Sequence, residues 1–304
     1  MKKTIAFILI LTMAVSNAFA WGDLGHATVG CIADNHLSPK AKAAIDKYLG
    51  GLSLAAVASD ADKYRAEWLR DFGVEICNPM TFRFAGWTKI FDMSLPANIE
   101  PWTHSMIVDE NFKPLRTDLR ETENGIEGLN NCSLYIERFI KELRENAEGM
   151  DPYERSVKLR MIVHWLGDMH CPMHMQYDRL DMKKGGKKIR LGENGKEYNL
   201  HKFWDGGVFG TVHGMKFSDL ARIADNATPE EMAAIVSGDI WVYASKAARD
   251  SWEAHVYNGK KFIDYEEKVV IVPAWYTVTM RPLMLHQLRN GGYRLAAIMN
   301  AIFE

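Results

Sequence analysis

The stretch 151–168 constrains the fold most, because it combines a helix start with an apolar stripe that ends in titratable side chains. Its first four residues, Asp-Pro-Tyr-Glu, match a capping box with proline at the first helical position. Helical spacing at i, i+4, i+7 and i+11 then places four side chains on one face: Val157, Met161, His164 and Asp168. The sequence therefore predicts a helix that carries a histidine and a carboxylate toward the protein interior.

Helical periodicity also dominates elsewhere in the chain. Apolar residues repeat at i, i+3, i+4 and i+7 over 136–143 and again over 295–302, so both segments are predicted to be amphipathic helices. One pair of strands is predicted, 187–191 and 196–200, on either side of a Gly-Glu-Asn-Gly turn. Residues 78–101 have no clear period and are interpreted as loop. We therefore expect an all-α fold, a single mainly helical domain with one small β-hairpin.

The N-terminus has the features of a secretory signal peptide. Lys2 and Lys3 precede an apolar run over 5–15, and small residues lead to a cleavage position after Ala20. That run is shorter than the roughly 18 to 20 residues that a membrane span needs; an uncleaved anchor is the alternative. Since Trp21 and not cysteine follows the cleavage position, no lipid anchor is expected. We predict a signal peptide at 1–20, export to the periplasm or the outside, and no stable membrane association.

The charge of the chain excludes one way of binding nucleic acid. It has 37 Lys and Arg against 39 Asp and Glu, a net charge of −2, which falls to −4 when Lys2 and Lys3 are removed with the signal. A protein that binds by neutralising many phosphates has a large excess of basic residues. Any nucleic acid is therefore expected to be held locally. Residues 21–304 contain no linker or repeat, which favours one domain.

The cysteines do not form a zinc-finger pattern. No two of the four are spaced as Cys-x-x-Cys, which argues against a thiolate zinc site. In an oxidising compartment they allow one or two disulfide bonds, and buried free thiols are the alternative. The four are Cys31, Cys77, Cys132 and Cys171.

Histidine and aspartate side chains form a candidate metal site. Burying His164 and Asp168 without partners is unfavourable, and a shared metal ion removes that penalty, although a hydrogen-bonded core pair is the alternative. His201 and Asp205 form a second pair with the same spacing, which favours the metal. Imidazole and carboxylate ligands without thiolates are typical of catalytic zinc. The other candidate ligands are His26, Asp62, His104 and His174.

The remaining histidines receive a different interpretation. His170 lies among the candidate ligands and is expected to support the site without binding metal. We expect the others to be surface residues or satisfied core residues, since no partner is evident from the sequence. They are His36, His213, His255 and His286.

The motifs that contain these residues resemble those of the zinc-dependent single-strand-specific nucleases of fungi and plants, within the phospholipase C and nuclease superfamily. The resemblance extends over most of 21–304 and implies a zinc-dependent nuclease domain there. In chain order the motifs are W-G-D-L-G-H from Trp21, S-D-A-D from Ser59, W-T-H ending at His104, H-W-L-G-D-M-H-C-P-M-H from His164 and N-L-H-K-F-W-D from Asn199.

The resemblance implies three zinc ions per chain. The third of them would be bound by His26, by Asp168 as a shared ligand, and by the amino nitrogen and carbonyl oxygen of Trp21. A free amine exists at Trp21 only after the signal is removed, so the precursor is not expected to complete this site. The first zinc would take Asp62, His104, His164 and Asp168, and the second His174, His201 and Asp205.

The resemblance also implies endonucleolytic cleavage of single-stranded RNA or DNA to 5′-phosphorylated products, with a 3′-nucleotidase activity as a further option. We assign catalytic roles to Asp168, which bridges two metals, and to Asp62, which orients or deprotonates a water. Arg65, one turn further, is expected to meet charge on a phosphate oxygen, with a solvated helix charge as the alternative. The expected partner is a single-stranded nucleic acid or nucleotide, and no protein partner is inferred.

Substrate contacts follow less directly from the sequence. Phe203, Trp204 and Tyr177 are candidate platforms for a stacked base, or else core residues. The segment 183–190 is rich in Lys and Arg, which bind phosphate or form a solvated turn. It also carries Lys187 where the family usually has Asn, and 105–107 lack the aromatic and acidic pattern of fungal members, so no base preference is assigned.

Two other functions compete with the nuclease. A zinc-dependent phospholipase C shares this type of fold, but that branch usually has Glu at the position of Asp205, which favours the nuclease. A zinc-binding protein without enzymatic activity is the second alternative. An assay on oligonucleotide and on phosphatidylcholine separates all three.

Overall fold

The computed structural model describes residues 21–64, 106–114, 120–122, 125–127, 132–177, 188–257, 260–261, 267 and 269–304. The expected signal peptide at 1–20, the expected loop at 78–101, His104, Arg65 and Cys77 lie outside the described residues. Within the described ranges, no helix combines the length and the apolarity that crossing a membrane requires.

Helices form most of the described structure, which confirms the predicted all-α fold class. The N-terminal helices are α1 (Gly22–Asn35), α2 (Pro39–Tyr48), α3 (Leu54–Val57) and α4 (Asp60–Lys63). The next are α5 (Cys132–Asn146), α6 (Pro152–Met169) and α7 (Leu200–Asp205). The last are α8 (Phe217–Ala224), α9 (Pro229–Ile235), α10 (Ile240–Ser251) and α11 (Tyr276–Phe303), and short 3₁₀ turns occupy Pro172–His174, Gly207–Val212 and Trp252–Ala254.

Short strands connect the helices. The predicted hairpin is confirmed: β5 (Lys188–Leu191) pairs antiparallel with β6 (Glu197–Asn199), with Ile189 opposite Tyr198. An additional strand, β9 (Val269–Val272), pairs parallel with β5 and was not predicted. The other strands are β1 (Met106–Val108), parallel to β4 (Met175–Tyr177), and two antiparallel pairs, β2 (Arg120–Thr122) with β3 (Gly125–Glu127) and β7 (Val256–Tyr257) with β8 (Lys260–Lys261).

Helix α6 is the central helix and forms as its sequence predicts. The Asp151 carboxylate caps it by accepting hydrogen bonds from the backbone amides of Tyr153 and Glu154, at 2.9 and 3.0 Å. The helix ends at Met169, before Pro172. Nearly all side chains in its second half are buried, and a helix that is buried on all sides lies inside a core. Its two ligand-type residues therefore lie away from bulk solvent.

The long helix α11 fixes the position of α1. A side chain at Gly292 would place its Cβ only 2.5 Å from Ile32 of α1, so glycine permits this close approach. The backbone amide of Ser38 donates to the Asn300 side chain at 2.8 Å, and the Asn300 amide donates to the carbonyl oxygen of His36 at 3.1 Å. These contacts hold the first described helix against the last one, and α1 carries the predicted ligand His26 and follows directly after Trp21.

Candidate metal centre

His164 and Asp168 of α6 lie at the middle of the site and are fully buried. The Nδ1 atom of His164 hydrogen-bonds to the carbonyl oxygen of Ala58 at 3.0 Å. Because Nδ1 must then donate, Nε2 is left with its lone pair, and it faces Asp168 Oδ2 at 3.4 Å and Asp62 Oδ2 at 3.5 Å. A backbone carbonyl that fixes the far nitrogen of an imidazole is the usual arrangement for a metal-binding histidine.

Helix α1 brings His26 to the same place. Its Nε2 lies 3.3 Å from Asp168 Oδ1, and its ring stacks on the ring of His164 with centroids 4.2 Å apart and planes inclined by 16°. Gly167 makes room for this ring, because a Cβ at that position would lie 2.8 Å from His26 Cε1. The position between His164 and Asp168 in the His-x-x-Gly-Asp motif therefore requires glycine, because a larger residue would overlap the His26 ring.

We expect Gly167→Ala to displace His26 and to remove one metal ion, although alanine favours helix more than glycine by about 1 kcal/mol. The added methyl group overlaps the imidazole, and overpacking of this kind costs about 1 to 3 kcal/mol. Zinc content and thermal unfolding measure the two effects. Gly210→Ala is the matched control, since a Cβ there meets no atom within 4 Å. Full zinc content in the Gly167 variant would show that His26 is not needed.

Two aspartates of α4 have different partners. Asp60 forms an ion pair with Arg160 at 2.7 Å, and burial raises the pKa of its carboxyl group. Asp62 instead directs Oδ2 toward His164, and this buried oxygen accepts no hydrogen bond from any described residue. The structure therefore places the side chain of Asp62, and not that of Asp60, beside His164.

The second group of candidate ligands comes from the segment that follows α6 and from α7. His174 ends the 3₁₀ turn after Pro172, with Nδ1 4.0 Å from Asp168 Oδ2 and Nε2 3.9 Å from Asp205 Oδ1. His201 Nε2 lies 3.5 Å from Asp205 Oδ2, one helical turn away. The hairpin leads directly into α7, whose first turn is capped by the Asn199 side chain. Two distant segments of the chain thus meet at Asp168.

The carboxylates of the site crowd one another. Burial, and then the negative charges of Asp168 and Asp62, raise the pKa of Asp205 well above its usual value. Neither carboxylate oxygen of Asp205 accepts a hydrogen bond from a described residue. Uncompensated buried carboxylates are unfavourable, and a cation among them removes that penalty.

The spacing of the ligand atoms also fits metal ions. The nitrogen-to-oxygen distances of 3.3, 3.4 and 3.5 Å around Asp168 and His164 exceed the length of a normal hydrogen bond. Two ligands about 2.0 to 2.1 Å from one tetrahedral zinc are about 3.3 Å apart. Side chains of the described residues therefore have both the chemistry and the separation that divalent zinc requires.

Trp21 closes one side of the site. Its side chain is completely buried and makes edge contacts with Trp204 and Phe209, with ring centroids 6.4 and 5.7 Å apart. The adjacent Gly22 has a φ of +48°, and a Cβ on it would lie 2.8 Å from the carbonyl oxygen of Asp205. The start of α1 is thus packed against the end of α7, which places the Trp21 backbone beside the candidate ligands.

Cys171 is a residue of the site that the sequence analysis did not identify. Its sulfur and one ligand atom each of His174 and Asp205 all lie within 4.8 Å of one another, and all three residues are buried. The only sequence signal is its place three residues after Asp168 and three before His174. Among the described cysteines, Cys31 and Cys132 are free thiols, as is Cys171, so the predicted disulfide bonds are absent from this part of the chain.

The structure does not support the suggested substrate contacts among the described residues. Phe203, Trp204 and Tyr177 are buried in the core, so the core interpretation of these aromatics is correct and the base-stacking one is wrong. Lys188 and Arg190 both form ion pairs with Glu197, so these charges are neutralised within the hairpin. Arg65, the other candidate residue for substrate contact, lies outside the described ranges.

Most of the remaining histidines have hydrogen-bond or ion-pair partners, as expected for satisfied residues, although the sequence did not identify those partners. His170 donates from Nδ1 to the carbonyl oxygen of Leu166 and accepts a hydrogen bond from Arg294, both at 2.7 Å. Burial and the neighbouring guanidinium lower the pKa of His170 well below its usual value. The others pair as His36 with Asp225, His286 with Asp250, and His255 with the carbonyl oxygen of Pro172.

We expect His36→Ala to lower stability and to leave activity unchanged. His36 Nε2 lies 2.9 Å from Asp225 Oδ1 and the ring packs edge-on against Tyr293, away from the site. Loss of one such hydrogen bond costs about 1 kcal/mol. Chemical denaturation and a nuclease assay measure the two quantities separately, and a large drop in specific activity would contradict the separation of His36 from the site.

A helical fold whose buried imidazoles and carboxylates converge on one place defines a metal-dependent hydrolase. Residues 21–304 match the S1/P1 Nuclease family. The chain therefore belongs to the S1/P1 nuclease family, whose members are zinc-dependent hydrolases that act on phosphodiester bonds of single-stranded nucleic acid.

Curated relatives match along nearly the whole chain. Nuclease P1 of Penicillium citrinum is 25% identical over 93% of this chain and 97% of its own length. Nuclease S1 of Aspergillus oryzae is 23% identical over 96% of this chain and 95% of its own. Endonuclease 2 of Arabidopsis thaliana is 23% identical over 96% of this chain and 94% of its own.

Proposed function

We propose that this protein is an exported endonuclease that cleaves single-stranded RNA or DNA to 5′-phosphorylated products at a cluster of three zinc ions, with cleavage of 3′-nucleotides as a further activity. The observation that carries the proposal is the position of Asp168, whose two oxygens face His26 at 3.3 Å and His164 at 3.4 Å while His174 lies 4.0 Å away. A carboxylate surrounded by three imidazoles is suited to bridging metal ions.

The ligands are distributed in the proposal as three sets. Asp62, His104, His164 and Asp168 bind the first ion. His174, His201 and Asp205 bind the second. His26, Asp168 and the backbone amine and carbonyl of Trp21 bind the third, which requires removal of residues 1–20.

Support for His104 comes from the strand that follows it. β1 begins at Met106, two residues after His104, and pairs in parallel with β4, which begins directly after His174. In the register of this pair Met106 lies opposite Met175. The strand that follows His104 in the sequence therefore lies beside the strand that follows His174.

Zinc bound here would supply a Lewis acid for the phosphate and would acidify a water molecule. The protein residues orient these groups. The Ala58 carbonyl fixes the His164 ring, Gly167 leaves space for His26, and the free Oδ2 of Asp62 is placed to orient a water or to accept its proton. Arg65, one residue beyond the described segment, is proposed to contact a phosphate oxygen. Burial of the ligands keeps the electrostatic interactions strong.

The overall charge of the chain supports local binding of an unpaired strand. With a net charge of −2 the protein lacks the basic excess of a general nucleic-acid binder. An unpaired strand can place one phosphodiester into a recessed site, whereas a duplex holds its phosphates on a rigid helix.

The test uses protein with a sequenced N-terminus and a measured zinc content. Single-stranded DNA, single-stranded RNA, duplex DNA, a 3′-nucleotide and phosphatidylcholine vesicles are incubated with it, and the ends of the products are analysed. We expect cleavage of both single strands with phosphate at the 5′ end, and His36→Ala as an active control. Cleavage of phosphatidylcholine alone would establish a phospholipase C. Full zinc content without hydrolysis of any substrate would establish a zinc-binding protein.

A further inference from the structure

Cys171 differs from an ordinary buried cysteine in what surrounds it. A free cysteine usually behaves as a small apolar residue and packs among apolar side chains. Cys171 is completely buried, yet it lies beside the imidazole of His174 and the carboxylate of Asp205. While residues 1–20 are attached, the backbone N–H of Trp21 donates a hydrogen bond to its sulfur; in the processed protein this nitrogen is the amine proposed to bind the third ion. The sulfur therefore lies at the edge of the apolar core, next to two candidate metal-ligand side chains.

An independent feature of the same place points to a cation. Asp205 is buried, and neither of its oxygens accepts a hydrogen bond from a described residue. The described basic groups in ion-pair range of Asp205 are the imidazoles of His174 and His201, at 3.9 and 3.5 Å, which are too distant for hydrogen bonds. A cation bound beside this carboxylate would compensate its charge, and the sulfur of Cys171 lies within 4.8 Å of one of its ligand atoms.

We propose that Cys171 is a thiolate ligand of the zinc ion that His174 and Asp205 bind, which gives this ion a mixed sulfur, nitrogen and oxygen environment. On binding, the thiol loses its proton to solvent and the sulfur forms the metal bond. Sulfur and nitrogen ligands of one tetrahedral zinc are about 3.5 Å apart, so a contraction of little more than 1 Å suffices. With His201, whose side chain is 42% exposed, the ion would have four protein ligands, and water or substrate would enter from this solvent side as a fifth.

Thiolate ligation makes this ion different from the others. A soft thiolate favours zinc over magnesium, calcium and manganese, which prefer oxygen ligands. We therefore expect the ion at Cys171 to be the most resistant to exchange with those metals. The inference rests on the proposed zinc cluster, and its test must separate failure of the thiolate from failure of the cluster.

The first measurement is X-ray absorption at the zinc edge on the processed, zinc-loaded protein. We expect a sulfur shell at about 2.3 Å beside nitrogen and oxygen at about 2.0 to 2.1 Å. The second is replacement of zinc by cobalt, with a sulfur-to-cobalt charge-transfer absorption expected in the near ultraviolet. Both signals come from the wild-type protein, so they do not depend on whether a variant folds.

Variants then identify the sulfur. Cys171→Ser should lose the charge-transfer absorption and bind one ion at least about tenfold more weakly, since even indirect contacts to a metal ligand are worth 10 to 100-fold. Cys31→Ser and Cys77→Ser are the controls and should retain the absorption. Its loss in Cys77→Ser, or its persistence in Cys171→Ser, would overturn the assignment.

The outcomes distinguish failure of the thiolate ligand from failure of the zinc cluster. Zinc or cobalt bound with only nitrogen and oxygen neighbours would overturn thiolate ligation and leave the nuclease proposal standing. Failure of the processed protein to bind zinc or cobalt at all would overturn both. A sulfur shell in a protein without hydrolytic activity would support the ligand and contradict the nuclease.

Discussion

Asp168→Asn is expected to abolish hydrolysis and to release more than one zinc ion. The amide has the shape of the carboxylate but lacks its charge, so it cannot bridge two cations. His26 and His164 face the two oxygens at 3.3 and 3.4 Å, so the two zinc ions proposed to share Asp168 would each lose a ligand. We expect activity to fall by at least about 10² to 10³-fold, the loss seen when one electrostatic contact to a transition state is removed. Elemental analysis and oligonucleotide cleavage measure the two effects.

The matched control is Asp60→Asn, a buried aspartate of α4 whose partner is Arg160 at 2.7 Å. Removing one member of a buried ion pair lowers stability, so this variant should unfold at lower temperature and still bind its full complement of zinc. Three zinc ions retained in the Asp168 variant would contradict its bridging role. Equal loss of zinc in both variants would indicate a general loss of structure.

The second large effect is expected from a single extra residue before Trp21. An added residue turns the terminal amine into an amide, whose nitrogen has no lone pair available for a metal. The Trp21 side chain is buried between Trp204 and Phe209, so its backbone cannot move aside to present another group. We expect the extended protein to fold, to contain one zinc fewer and to be inactive. Elemental analysis of the extended and the processed forms, with N-terminal sequencing of each, tests this.

Removal of the extra residue by a site-specific protease provides the control. It should restore both the third ion and the activity without refolding, because the remaining ligands are already in place. An extended protein with full zinc content and full activity would show that the amine of Trp21 is not a ligand.

Local signals made part of the fold predictable. The α6 helix follows from its cap at Asp151 and from a stripe that ends at Asp168, and the hairpin follows from its glycine-containing turn; both depend on neighbours in sequence. β9 was not predicted, because four consecutive β-branched residues fit a strand and a buried helix equally well, and its partner β5 lies far away in the chain. The pairing of β1 with β4 depends on long-range contacts in the same way.

In the candidate site too, local spacing predicts some features, and others depend on residues that are distant in the sequence. The spacing of His164 and Asp168 predicts that both lie on one face, which the structure confirms. Cys171 was set aside because the sequence has no Cys-x-x-Cys pair, although a single thiol can join ligands from another segment, here Asp205. For three aromatic residues the sequence left open a base-stacking and a core interpretation, because hydrophobicity alone does not tell a core ring from an exposed one. The partners of His36 and His286 also lie far away in sequence or across helices.

Because α1 packs on α11, the first described helix gains its packing partner only at the end of synthesis. A ribosome releases α1 about 250 residues before it releases Asn300, which binds the loop behind α1 through Ser38 and His36. Until then His26 has no fixed position beside α6. The contacts that fix α1 can therefore form only once the last helix has emerged, so we expect the arrangement of His26 beside α6 to be completed late in synthesis.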